Sequence, residues 1–241
     1  MADTEKAIIS DCRKEYTMKY IFIDFEMQEL DREFKSERKI CKQEIIEIGA
    51  IMLDESLTEI SSFKRYVKPQ YSKHISRKII ELTGITDNYL FGCKKLETEI
   101  NAFAEWCLSF DDEIIVYAWS ENDLSQINHE FFLKGISLNL DMQKVVENWR
   151  DLQVSYDAAV GARKPTSLTR ALESLGIYFE GHMHDAVDDS RNTATIFREL
   201  SDPEEFQKSI AYIKDFVSDG NKSSGTTLGD LIDFSKLGIC A

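Results

Sequence analysis

Three acidic groups in this sequence have types and spacings that could do chemistry. Asp24 and Glu26 close the run KYIFIDFE, Lys19 to Glu26. Alternate residues of a strand share a face. Two carboxylates so placed, at the end of an apolar run, repel each other and lose hydration. That is costly unless a cation or a paired base offsets it. Carboxylate oxygens suit hard divalent cations such as Mg²⁺. The plain alternative is a strand that surfaces there with both acids in water. Asp123 follows the run EIIVYA, Glu113 to Ala118, by a few residues. It falls in the first turn of a helix that Ser120 could cap, where an acid is often only a capping or dipole partner.

The third group is HMHDAVDDSRNTATIFREL, His182 to Leu200. Helical spacing puts Asp189, Thr193, Ile196 and Leu200 on one face, which must point at the core. Asp188 lines up instead with Asn192, Thr195 and Glu199, a face expected in solvent. His184 precedes Asp189 by five residues. It reaches the same pocket only if it sits at or before the first helical turn, where it could act as a general base. His74, His129 and His182 read as surface or structural residues.

The elements that must hold these residues follow from the apolar pattern. Lys19 to Glu26 is bulky on both parities, so it reads as a strand buried on both faces. Gln28 to Lys42 is polar and reads as a loop or flap. Glu44 to Leu53 and Thr58 to Val67 read as two further strands of an antiparallel meander. Ser76 to Leu82 is helical, with Gly84 as its stop. Leu96 to Phe110 and Glu121 to Lys134 are helices on either side of the strand Glu113 to Ala118. Ser167 to Leu175 is a short helix before Gly176, and Asp185 to Leu200 a longer one. This order gives an α/β class with a mixed sheet. Glu204 to Val217 reads as one more helix, Asp219 to Thr227 as a Gly/Ser-rich linker, and Leu228 to Ala241 as a short amphipathic tail.

Composition bounds the rest. The chain has 241 residues, a net charge of −14 and 43% hydrophobic residues. This is enough apolar material for a real core and excludes wholesale disorder. No apolar run approaches the roughly 20 residues of a membrane span. The N-terminus has no apolar signal core. Five scattered cysteines without a CxxC pair argue against a zinc site or a disulfide framework. The chain reads as a reduced, cytoplasmic protein. Net charge alone argues against a nucleic-acid partner, but its distribution does not. Lys64, Arg65, Lys68, Lys73, Arg77 and Lys78 form a strip without acids, interleaved with Tyr66 and Tyr71. Such a strip is either a solvated surface or a phosphate track with stacking aromatics. Arg163, Lys164 and Arg170 make a second, smaller basic island.

Taken singly, these signals are weak. Their order is more specific: DxE on the first strand, an Asp opening a helix after a later strand, and H-x4-D at the last long helix. IDFE, YAWSENDLSQI and HDAVDDSRNTA resemble the three motifs of the DEDDh 3′→5′ exonuclease superfamily, which includes proofreading epsilon-type subunits and ribonuclease T. EIIEIGAIML, IIELTGIT and SLTRALESLGI also resemble its connecting elements. The closest look is to the RNA-trimming branch with histone-mRNA 3′ exonucleases and KapD-type proteins. The resemblance runs from about Lys19 to Leu200. It divides the chain into an extension over 1–17, an exonuclease domain over 18–202, and a C-terminal helix, linker and tail over 203–241.

The resemblance implies an RNase H-like sheet flanked by helices and two Mg²⁺ or Mn²⁺ ions. Asp24, Glu26, Asp123 and Asp189 would hold the ions, and His184 would take a proton from the attacking water. The implied reaction is hydrolysis of the 3′-terminal phosphodiester of single-stranded nucleic acid, RNA favoured, releasing nucleoside 5′-monophosphates. Phe25, Met27 and Trp119 are candidates to pack on the terminal base or sugar. Met27 stands where the family often has a smaller residue. A different class stays open: a binding or regulatory module that keeps the fold and recruits a partner protein through its C-terminal tail.

Overall fold

The structure is a computed structural model that describes residues 17–110, 112–202, 204, 206 and 208. The expected extension before residue 17, most of the helix over 204–217, the linker and the amphipathic tail lie outside the described residues.

The central strand is β1 (Met18–Glu29), rich in aromatic and β-branched residues. It pairs antiparallel with β2 (Gln43–Leu53), which pairs antiparallel with β3 (Glu59–Tyr66). On its other side β1 pairs parallel with β4 (Glu113–Ala118), and β4 with the short β5 (Trp149–Asp151). The sheet order is β3-β2-β1-β4-β5. This is the mixed sheet expected. Because β1 and β2 lie inside it, they are apolar on both faces rather than alternating.

Helices cover both faces. Ile21, Ile23 and Phe25 pack under α3 (Leu96–Cys107), α4 (Asn122–Lys134) and α5 (Leu140–Glu147). Phe22, Ile51 and Tyr117 pack on the opposite face against α6 (Leu152–Val160), α7 (Leu168–Ser174) and α8 (Ala186–Ser201). Between β3 and α3 run two short helices, α1 (Arg77–Thr83) and α2 (Asp87–Leu90). Ser76 caps α1 and Gly84, at φ 73°, ends it, as the spacing predicts. No helix among the described residues is long and apolar enough to cross a membrane.

Three features differ from the sequence reading. β1 continues through Gln28 to Glu29, so the polar segment after it begins later. The β1–β2 register shifts between Glu26 and Met27, a bulge that re-aims the side chains on either side. Residues 135–166, which carried no element in the sequence reading, fold into α5, β5 and α6. A three-residue strand between two short helices leaves too little periodic pattern to read.

Candidate active site

The acids reach one place because two helices begin beside the middle of one strand. Asp24 and Glu26 come from the middle of β1, beside its bulge. Asp123 opens α4 directly after β4. Asp189 sits in the first turn of α8, whose N-terminus lies across β2. The closeness of that crossing depends on Gly49, which pairs with Asp24 in the β1–β2 register. A Cβ there would lie 2.3 Å from the Ala186 backbone. Ser190 Oγ also donates to Gly49 O at 3.1 Å, tying helix to strand.

The turn before α8 is tightly specified. Asp185 is the N-cap, and its side chain accepts from Val187 N and Asp188 N. His184 adopts φ 65°, a left-handed conformation. Its backbone N–H donates to Asp189 Oδ2 at 3.0 Å. This places its imidazole, which is about half exposed, 4.0 Å from Glu26 through Nδ1. His184 thus lies just before the first helical turn, the condition set for it to share the pocket.

Asp24, Glu26, Asp123, His184 and Asp189 all line one open cleft of about 670 Å³. Oxygen and nitrogen atoms of Glu26, His184 and Asp189 come within 4.8 Å of one another. Asp24 and Asp123 join the group through their charges. Burial raises Asp24 well above its ordinary range, and Asp123, Asp189 and Glu26 push it further. Glu26 rises to about 9, first from burial and then from Asp189 and Glu47. Asp123 and Asp189 rise to about 7, chiefly from burial. The Phe25 amide partly offsets this at Asp123, and the His184 amide at Asp189.

Among the described residues, no Lys or Arg forms an ion pair with any of these four acids. Clustered, withdrawn carboxylates without a cationic side chain are a donor set for divalent cations. The residues present therefore fit the Mg²⁺ or Mn²⁺ that the resemblance implies.

The three apolar candidates separate. The Phe25 ring is buried in the core against Trp149. Trp119 packs on Tyr156 and donates its indole N–H to Thr166 O at 3.0 Å. Both border the cleft, but core packing fixes them. Met27 is half-buried and lines the cleft.

Other expectations need correction. Glu121, not Ser120, occupies the N-cap position of α4, although Ser120 Oγ does accept from Asn122 N. The Asp188 face of α8 is not in solvent. Asn192 is buried and exchanges hydrogen bonds with the Glu180 backbone, because residues 177–184 fold back over that face. His129 lines the cleft, as do Gln43, Ser125 and Gln126. Ser125, Gln126 and His129 share α4 with Asp123, while Gln43 comes from the start of β2. His74 does behave as a surface residue, held by Asp87.

The basic strip is not a free track. Lys64 binds Glu47 and Asp185, Lys73 binds Glu33, and Arg77 binds Glu81. By contrast, Arg163, Lys164 and Arg170 are exposed and form no ion pair among the described residues. They flank Ser167, Leu168 and Thr169, which line the cleft.

A mixed sheet in this order, with acids from its central strand, from the helix after β4 and from a closing helix meeting in one cleft, defines an exonuclease-type α/β fold. The family model described as Exonuclease matches residues 21–197, and the chain belongs to that family. ERI1 exoribonuclease 2 of Danio rerio is 30% identical over 211 residues, covering 79% of this chain and 36% of that protein. The 3′-5′ exoribonuclease 1 of Mus musculus is 27% identical over 169 residues, 64% of this chain and 45% of its own length. The chain thus spans less than half the length of these curated relatives. A crystal structure of the nuclease domain of 3′hExo, a DEDDh family member bound to rAMP, superposes with a TM-score of 0.67. It is 26% identical and covers 79% of this chain and 96% of that one.

Proposed function

We propose that this protein is a metal-dependent 3′→5′ exonuclease acting on single-stranded nucleic acid, RNA in preference to DNA, and releasing nucleoside 5′-monophosphates. The observation that carries this reading is the meeting of Asp24, Glu26, Asp123, His184 and Asp189 in one cleft, with no Lys or Arg among the described residues paired to the acids. The RNA preference rests on the names of the relatives, which are exoribonucleases.

In this reading Asp24, Glu26, Asp123 and Asp189 hold Mg²⁺ or Mn²⁺, which supplies charge neutralisation at the phosphate and acidifies water there. His184 does the proton work. Its imidazole opens to the cleft, and a ring nitrogen takes the proton of the attacking water. The water oxygen bonds to phosphorus and the P–O3′ bond breaks. The departing O3′ takes up a proton from solvent, so the shortened strand keeps a 3′-hydroxyl and the last nucleotide leaves as a 5′-monophosphate. Glu26, 4.0 Å from Nδ1, is near enough for its charge to favour the imidazolium that forms. Met27 contacts the terminal nucleoside. Arg163, Lys164 and Arg170 attract the phosphates of the strand behind it.

The test uses matched 5′-labelled single-stranded RNA and DNA, with Mg²⁺ or Mn²⁺, beside EDTA and Asp24→Ala controls. The expected result is a metal-dependent ladder that shortens from the 3′ end, is faster on RNA, and is absent in the variant. Folded, metal-supplied protein that leaves both strands intact would overturn the reading in favour of a binding module.

A further inference from the structure

We propose that Lys64 is a positioning residue that holds the His184 turn in register with Glu26. This rests on the exonuclease reading and assigns a role to a residue outside the DEDDh set.

Lys64 lies on β3, opposite Gly49 in the β2–β3 register. Its ammonium contacts two carboxylates from different elements: Glu47 Oε1 on β2 at 2.8 Å and Asp185 Oδ2 at 2.5 Å. Glu47 is buried and pairs directly with Glu26 across β1 and β2. Asp185 is the N-cap of α8 and the residue after His184. Its other oxygen, Oδ1, accepts from Val187 N and Asp188 N at 3.1 and 3.4 Å. One cation therefore bridges the strand neighbour of Glu26 and the cap that shapes the His184 turn.

The bridge matters because the turn's other hydrogen bonds join it only to itself and to α8, whereas Lys64 ties it to the sheet that carries Glu26. His184 is about half exposed and in a left-handed conformation, which a non-glycine residue holds only when its surroundings over-determine it. Its local restraints are the amide bonds from His184 to Asp189 and from His182 to Asp188, the Asp185 N–H bond to His182 O, and the cap at Asp185. Without Lys64, Glu47 and Asp185 would be two carboxylates facing each other with no cation between them. Like charges so placed repel, and the turn is the movable partner because Glu47 is locked in the sheet. A displacement on the order of 1 Å of a catalytic group can cost about 10²-fold in rate.

Glu47 and Asp185 are distinct from the four acids assigned to the cations, so Lys64 acts beside that set without joining it. The expectation is a loss in turnover with little loss in substrate affinity.

The test compares wild type, Lys64→Met, Lys64→Arg and Asp185→Asn in steady-state kinetics on 5′-labelled single-stranded RNA. The ring signals of the histidines are followed by NMR without added metal. Asn is as good an N-cap as Asp, so Asp185→Asn breaks the ion pair while keeping α8 capped. Lys64→Met should lower kcat about 10- to 100-fold with KM within about threefold. Lys64→Arg should recover most of the rate, because its fork can span both carboxylates. The His184 ring signals should shift or broaden in Lys64→Met and Asp185→Asn, while those of His74 stay in place. If Lys64→Met fails to fold, Asp185→Asn decides by the same criteria. A folded Lys64→Met or Asp185→Asn with wild-type kcat and unmoved His184 signals would overturn the proposal. Inactive wild-type protein would instead overturn the exonuclease reading, and the His184 signals would still judge the positioning role.

Discussion

Gly49 and Ala186 are in backbone contact: a Cβ on the glycine would sit 2.3 Å from the Ala186 carbonyl carbon and 2.4 Å from Val187 N. The obstructing atoms are main-chain, so no rotamer change relieves them. Gly49→Ala should force α8 off the sheet. We expect a loss of about 1–3 kcal/mol, the usual cost of over-packing, together with loss of RNA degradation as Asp189 and His184 move away from Glu26. Thermal melts and the ladder assay check both. A variant with wild-type Tm and rate would show that α8 does not need this contact.

The acid cluster predicts a pH-dependent stability that cations reverse. Glu26, near 9, and Asp123 and Asp189, near 7, bind protons in the folded state over a range where the unfolded chain, with carboxyls near 4, has released them. Stability falls with pH wherever the folded state holds more protons. The contribution of these groups is full below about pH 4 and lost as pH rises to about 9. In EDTA, Tm should therefore fall between pH 5 and 9. Added Mn²⁺ should raise Tm more at pH 8 than at pH 5. Asp24→Asn should be more heat-stable than wild type in EDTA at pH 8 and respond less to Mn²⁺. Calorimetry showing an equal Mn²⁺ effect at both pH values would contradict this.

His184 separates chemistry from stability. Its ring is about half exposed, so His184→Asn should leave Tm nearly unchanged. Asn also tolerates the left-handed backbone at this position. Turnover should drop about 10²- to 10⁴-fold, the usual contribution of a general base. The Mn²⁺-induced rise in Tm should survive in large part, because the four carboxylates remain. Full activity in the variant would remove His184 from the mechanism.

Behind the cleft, α4 is pinned by a buried ionic group. Lys134 pairs with Glu44 at 2.9 Å and with Glu130, and all three side chains are almost wholly buried. Glu130 accepts from Ile45 N, and Glu44 from Gln70 N and Tyr71 N. Lys134→Met would strand two carboxylates in the interior. Breaking a buried pair on one side costs about 3–5 kcal/mol, so chemical denaturation should show a loss of that size, far above that of Lys73→Met at the surface.

The basic rim predicts a pure binding effect. Arg163→Ala, Lys164→Ala and Arg170→Ala, combined, should raise KM for single-stranded RNA and flatten its salt dependence, with kcat held. Phosphate contacts release counterions, and each one lost reduces the salt slope. A triple variant with the wild-type salt dependence would place the strand on another surface.

Much of this was legible from the residues because local rules agreed. The β1, β2, β4 and α8 runs have the bulk and period of the elements they form. Ser76 with Gly84, and Ser167 and Asp185 at helix starts, mark boundaries that the backbone respects. The inward turn of Asp189 followed from its helical alignment with Thr193, Ile196 and Leu200, all but the aspartate fully buried. What misled was surface inference. From its basic sequence neighbours Lys64 could be either a solvated surface residue or a phosphate contact, whereas its spatial neighbours are Glu47 and Asp185. Asn192 looked solvated because a helix face is judged open until another segment covers it, and here residues near Glu180 do.

The sequence by itself determined the strand and helix periods, the spacing of acids within each motif, and hence which residues are candidates to hold cations and move a proton. These properties depend on a few neighbouring residues and on side-chain chemistry. Only the tertiary structure decided that the motifs meet. It did so through the parallel pairing of β1 with β4, the close seat of α8 on Gly49 and the left-handed turn at His184. It also decided which charges are neutralised and which are left bare. Such relationships join residues far apart in the sequence, 95 positions between β1 and its β4 partners and 137 between Gly49 and Ala186, and burial and Coulomb energies follow distance in space rather than distance along the chain.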